Sequence, residues 1–193
     1  MRIASIQLNV VEESKEKALE HASQMIRQCR GANLILLPEL WNIGFMSFDR
    51  YRGEAETQEG PTLTLLRTLA RELSCHFFTG SFVEKRGDQF YNSSFLLNPQ
   101  GEILGSYQKI HLFAYQSEEA EILTPGTSIT VIPTEFGNVG LATCYDLRFP
   151  ELFRKMLDQE AEFFLIAAAW PAPRLEHWLP RPSRRHRSPA SRR

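Results

Sequence analysis

Apolar residues recur in two rhythms along this chain, and the switches between them mark out its elements. Ala4, Ile6, Leu8 and Val10 alternate with Ser5, Gln7 and Asn9, which predicts a strand over 2–10 with one buried face. The spacing then lengthens. Ala18, Leu19, Ala22, Met25, Ile26 and Cys29 recur at helical intervals, with Ser14 placed to cap the helix and Gly31 to end it. Residues 33–37 are continuously apolar after Asn33 and read as a buried strand, so the chain opens β-α-β.

A second amphipathic helix is expected from about Thr62 to Ser74, with Leu63, Leu66, Leu69, Ala70 and Leu73 inward and Pro61 near its first turn. Strands are expected at 76–84, 90–97 and 102–108. Asn98-Pro99-Gln100-Gly101 has turn chemistry and joins the last two as a hairpin. Further strands read at 129–133, 138–143 and 162–168, with a helix from about Pro150. The mixture of β-α-β units and a meander indicates a layered α/β architecture.

Composition changes the picture at two points. At 193 residues and 42% apolar content the chain can bury a sizeable core, and one domain is the natural expectation. Its apolar runs fall far short of the roughly 20 residues of a membrane span, and no signal segment opens the chain, so a soluble cytoplasmic protein is expected. Charge is nearly balanced, with 22 Lys and Arg against 23 Asp and Glu. The last fifteen residues nevertheless carry six arginines and no acid, leaving the rest acidic. Residues 179–193 lack periodicity and apolar content and are expected to be a disordered basic tail. Such a tail could attract nucleic acid, but without a folded module that partner is not expected.

Candidate chemistry lies where apolar strands end. Cys144 closes Val139-Gly-Leu-Ala-Thr-Cys, Glu39 closes Leu34-Ile-Leu-Leu-Pro-Glu, and Lys109 closes Leu104-Gly-Ser-Tyr-Gln-Lys. A cysteine nucleophile needs a base, a cation or a helix N-terminus to favour its thiolate. Glu39 could serve as the base and Lys109 as the cation, while residues 145–149 would open a helix. Lys109 and the Tyr145 backbone N–H would then stabilise an oxyanion. Each residue alone has a plainer reading, as a packed thiol, a surface or capping acid and a solvated lysine, and context leaves both open. Cys29, on the apolar helix face, and Cys75, near a helix end, are expected to pack. Three cysteines without a Cys-x-x-Cys pair argue against disulfides and structural zinc, and His76 and His111 lack ligand-spaced partners, so no metal is expected.

Three motifs in order, Pro38-Glu39-Leu40-Trp41, Lys109-Ile110-His111-Leu112-Phe113 and Cys144-Tyr145-Asp146-Leu147-Arg148-Phe149-Pro150-Glu151-Leu152, closely resemble the nitrilase superfamily, also called carbon–nitrogen hydrolases. The resemblance runs from Arg2 to about Trp178. It implies a four-layer α-β-β-α sandwich in which Glu39 is general base, Lys109 stabilises the tetrahedral intermediate and Cys144 is nucleophile. It further implies a second glutamate after the lysine motif, for which spacing favours Glu119 over Glu118 and Glu121. Asp146 and Arg148 are expected to support the elbow, as an ion pair or with Asp146 as a helix-start acid. Phe45 and Trp170 resemble pocket-lining positions.

The reaction implied is cofactor-free hydrolysis of a non-peptide C–N bond through a cysteine thioester, on a small amide. The cysteine motif looks most like the omega-amidase branch, which acts on small dicarboxylic monoamides. Family members continue past the position of Trp178 and commonly form homo-oligomers. An incomplete domain over 1–178 is therefore expected, with the C-terminal part of the fold missing. The alternative from another class is a catalytically silent remnant that acts by pairing with a full-length homologue.

Overall fold

The computed structural model describes residues 1–8 and 13–170, and in it eight strands divide between two sheets. The first sheet runs in the order β1 (Ile3–Ser5), β2 (Leu34–Leu36), β3 (His76–Arg86), β4 (Gln89–Leu97) and β5 (Ile103–Gln108). Its first three strands are parallel, and β3, β4 and β5 form an antiparallel meander. The second sheet orders β6 (Val131–Thr134), β7 (Gly137–Thr143) and β8 (Phe163–Ala167), with β6–β7 antiparallel and β7–β8 parallel.

Local chemistry sets the boundaries. The helix α1 (Lys15–Gln28) begins at Ser14, whose hydroxyl accepts from the Lys17 N–H at 3.4 Å. The helix α2 (Pro61–Leu73) carries Pro61 in its first turn, where a missing N–H costs nothing. Ser74 ends it in the left-handed region, φ +51°. Between β4 and β5 the Asn98 side chain accepts from the N–H groups of Gln100 and Glu102 at 3.0 and 2.9 Å, closing the turn. The strand expected over 2–10 is shorter. Its ladder ends at Ser5, although the Ile6 N–H still donates to the Leu36 carbonyl at 2.9 Å. Asn9, Val10, the expected boundary at Trp178 and the tail 179–193 lie outside the described residues.

Four layers follow from where the apolar faces meet. Ala22 and Ile26 of α1 and Leu63, Leu66 and Leu69 of α2 pack on Ile35, Phe77, Phe82 and Phe95 of the first sheet. The opposite face of that sheet presents Leu34, Phe78, Leu96 and Tyr107 to Ile132, Val139, Leu141, Leu165 and Ala167 of the second. On the far side of the second sheet, Leu152 and Met156 of α4 (Pro150–Asp158) cover Ala142. The order is thus α-β-β-α, each fully buried Leu or Phe contributing about 1.5–3 kcal/mol. The sheets face each other in such a way that the ends of β2, β5 and β7 approach one another.

Candidate active site

Glu39 reaches the site because β2 continues into an irregular stretch tied to β3. The Leu37 N–H donates to the Phe78 carbonyl at 3.1 Å and the Pro38 carbonyl accepts from the Ser81 N–H at 3.1 Å. The β3–β4 register shifts between Phe78 and Ser81, and Gly80 sits there with φ +64°. A Cβ on Gly80 would lie 2.1 Å from the Pro38 carbonyl oxygen, so only glycine lets the two strands approach this closely. Immediately after the glutamate, Leu40 turns the chain in the left-handed region with φ +47°, its N–H held by the Ser81 hydroxyl at 3.1 Å.

Lys109 follows β5, and its N–H donates to the Asn92 carbonyl on β4 at 2.9 Å. Its ammonium lies 2.8 Å from Glu39 Oε1 and 2.9 Å from both carboxylate oxygens of Glu119, the first residue of the one-turn helix α3 (Glu119–Ile122). The Asn92 amide closes the array from the other side, with Nδ2 3.0 Å from Glu39 Oε1 and 2.9 Å from Glu119 Oε1. A further donor to Glu119 Oε2 is the Phe113 N–H at 2.8 Å. The Phe45 ring lies over the ammonium, its centroid 5.5 Å from Nζ.

The thiol comes from the other sheet. Cys144 follows β7 and adopts φ +45°, which aims its side chain away from the strand. Of residues 145–149, expected to open an α-helix, 145–148 instead belong to a separate 3-10 turn over Cys144–Arg148, Phe149 links it to the next helix, and α4 starts at Pro150. The proline ring disfavours helical backbone at the preceding residue, and Phe149 accordingly sits at φ −118°, ψ 84°. The turn is anchored by Asp146. Its Oδ2 accepts from the Thr143 N–H at 2.9 Å and the Tyr107 hydroxyl at 2.7 Å; its Oδ1 accepts from the His111 N–H at 3.1 Å and lies 2.7 Å from His111 Nδ1. The expected Asp146–Arg148 ion pair is therefore replaced by bonds to both flanks of Lys109. Arg148 lies over the Trp170 ring, 5.3 Å from its centroid.

The Cys144 thiol lies beside the Glu39 carboxylate and the Ala169 N–H, and that N–H, two residues past β8, donates to Glu39 Oε2 at 3.0 Å. Glu39, Lys109, Glu119 and Cys144 thus converge. Burial first, and then the neighbouring Glu39 carboxylate, push the thiol well above its ordinary value, against the opposing pull of Lys109. Two carboxylates surround one ammonium, so the sulfur does not sit in net positive surroundings. Burial works against the ammonium, but Glu39, Glu119 and Cys144 outweigh it and hold Lys109 above the usual lysine range. Burial also lifts the Glu119 carboxyl, with Lys109 opposing and Glu39 adding to the shift. Cys144 keeps 8% of its surface exposed while Glu39 and Glu119 keep none, so a ligand entering the site would meet sulfur first.

A carbon–nitrogen hydrolase family model matches residues 2–189. The chain belongs to the carbon–nitrogen hydrolase family. It is 33% identical over 171 residues to a 2-oxoglutaramate amidase of Paenarthrobacter nicotinovorans, covering 84% of this chain and 58% of that protein. With the omega-amidase NIT2 of Bos taurus it shares 35% identity over 161 residues, covering 78% and 57%. The crystal structure of Saccharomyces cerevisiae Nit3, a member of branch 10 of the nitrilase superfamily, superposes with a TM-score of 0.81 at 29% identity, covering 91% of this chain and 67% of that one. The chain thus spans between about half and three-fifths of the length of these curated relatives.

Several members of this carbon–nitrogen hydrolase site carry no motif of their own in the sequence. Asn92 is legible only as one of three polar residues, Asn92-Ser93-Ser94, inside an otherwise apolar strand. Ala169 contributes a backbone N–H, which no side-chain pattern reveals. Tyr107 and His111 are tied to the cysteine turn through Asp146. Among the described residues, no group of three or more His, Cys, Asp and Glu side chains is disposed to hold a metal ion, and no helix is long and apolar enough to cross a membrane.

Proposed function

We propose that this chain is an amidase that hydrolyses small, carboxylate-bearing amides through a Cys144 thioester. The observation that carries the reading is the buried array of Glu39, Lys109 and Glu119 with the Cys144 thiol beside Glu39. Glu39 takes the thiol proton as sulfur attacks the amide carbonyl carbon. Lys109 and the Tyr145 N–H stabilise the oxyanion, where preorganised donors have the greatest effect. The C–N bond then breaks and Glu39 returns the proton to the departing amine or ammonia. Water, deprotonated by Glu39, attacks the thioester; the carboxylic acid leaves and sulfur recovers the proton.

The remaining roles follow from contacts. Glu119 holds the ammonium in place, Asp146 fixes the turn that carries sulfur, and Phe45 and Trp170, with Arg148 against it, line the approach. The names of the relatives from Paenarthrobacter nicotinovorans and Bos taurus support an amide of the 2-oxoglutaramate type as substrate. Three free cysteines fit a reducing compartment, in keeping with a cytoplasmic protein. The domain is assigned to residues 1–178, followed by a basic tail, and the enzyme is taken to work as a homo-oligomer.

Ammonia release from 2-oxoglutaramate by purified protein tests the activity, with Cys144→Ala as control. Mass spectrometry of acid-quenched enzyme tests the thioester as an adduct on the Cys144 peptide. Folded protein that releases no ammonia from a panel of small amides and forms no adduct would sink this reading and favour the silent chain that pairs with a full-length homologue.

A further inference from the structure

Asn92 is fully buried on β4, paired across the sheet with Val83, and contributes to the site through both its main chain and its side chain. Its carbonyl accepts the Lys109 N–H at 2.9 Å. Its Nδ2 donates to Glu39 Oε1 at 3.0 Å and to Glu119 Oε1 at 2.9 Å, the same two oxygens that bind the ammonium at 2.8 and 2.9 Å. Its Oδ1 has no partner among the described residues. The two carboxylates are therefore bridged twice, once by a charged donor and once by a neutral one.

We infer that Asn92 is a positioning residue of the hydrolytic site, which holds Glu39 and Glu119 aimed at Lys109 by donating to the same carboxylate oxygens that bind the ammonium. The inference deepens the amidase reading and rests on it. One ammonium between two buried carboxylates leaves an excess negative charge, and like charges this close resist joint ionisation. A neutral amide relieves that repulsion without adding a further charge to the array. The charged and titratable groups around Asn92 are Glu39, Glu119 and Lys109, with the Cys144 thiol beyond Glu39 and the Tyr51 hydroxyl near both glutamates. None of the others supplies a neutral donor to both carboxylates among the described residues.

Two substitutions test it. Asn92→Asp keeps the shape and removes the donor at neutral pH, and Asn92→Ser keeps a single hydroxyl that can reach at most one carboxylate. The rate of Cys144 alkylation by iodoacetamide and kcat/KM for amide hydrolysis are both followed against pH, with circular dichroism and melting confirming the fold. The acid limb of both profiles is expected to move to higher pH, further for Asn92→Asp than for Asn92→Ser. At neutral pH kcat should fall at least tenfold, with KM changed less than threefold. A folded variant of either kind whose acid limb stays at the wild-type pH overturns the inference, as does a loss confined to KM. Alkylation reads the array whether or not the chain turns over an amide, so amide hydrolysis that survives Cys144→Ala would overturn the amidase reading separately.

Discussion

The two sheets contribute to the site in unequal ways. Glu39, Lys109, Asn92 and Glu119 come from the five-stranded sheet and its loops, and they are locked by paired charges and shared donors with almost no exposed surface. Cys144 and the Ala169 N–H come from the three-stranded sheet, and the sulfur sits on a single turn with strained backbone, held by one carboxylate. The polar half is thus self-supporting, whereas the thiol half depends on its neighbour. Asp146 makes that dependence explicit: it reaches across the interface to Tyr107 and to His111, one on each side of Lys109.

Removing sulfur should have the largest effect on turnover and little on the fold. Cys144→Ala is expected to lower ammonia release by about 10³-fold or more, with an unchanged far-ultraviolet spectrum. Lys109→Met should abolish turnover and weaken the fold as well. It leaves two buried carboxylates without their cation and should cost about 3–5 kcal/mol in urea unfolding, and a smaller loss would show the polar half to be less self-supporting than its geometry implies. The sign of its pH dependence follows from the raised lysine value. The Lys109 contribution is fully present below the ordinary value of 10.5 and is lost only as pH rises through the higher folded-state value, so stability curves between pH 7 and 10 should show no step from this group.

Asp146→Ala tests the bridge between the halves. Displacing sulfur by about 1 Å can cost on the order of 10²-fold in kcat, and the variant should lose roughly that much while Lys109 and the two glutamates keep their mutual contacts. Leu141→Ala acts on the same interface through packing alone, and a cost of about 2–4 kcal/mol in unfolding is expected for its cavity. The smallest effect is in reactivity. Because burial and Glu39 hold the Cys144 thiol up, its alkylation should keep rising past pH 9 rather than level off there, and Cys75, pushed up to about 11 by burial and then Cys29, should be the slowest of the three.

Features set by neighbours in the chain were legible before the fold was known. Ser14 as a cap, Pro61 in a first turn and Asn98 through Gly101 as a hairpin each act within a few residues, and all appear as expected. The motifs around Glu39, Lys109 and Cys144 pointed to one site in the same way, since each ends an apolar strand. Of the two readings of Asp146, the helix-start acid is the one the turn adopts, and the pair with Arg148 gives way for a geometric reason. Residues two apart on one turn do not face each other, and Asp146 instead turns back to Thr143 and across to β5. Asn92 stayed hidden because a strand's pattern shows which face a side chain occupies but not what stands opposite it. The start of α4 was legible in Pro150, since proline suits a first helical turn and disfavours helical backbone at the residue before it.

The backbone at Cys144 carries a consequence for descent. Left-handed backbone costs an L-residue about 1–2 kcal/mol, a cost that glycine escapes. Alanine normally outranks glycine for stability, but at position 144, with φ +45°, the order should invert and Cys144→Gly should melt above Cys144→Ala. On the proposed mechanism, the use of sulfur as a nucleophile is what keeps a β-carbon at this site. A lineage released from that use would be free to relax, and glycine at position 144 would be the mark that selection on the chemistry had ended.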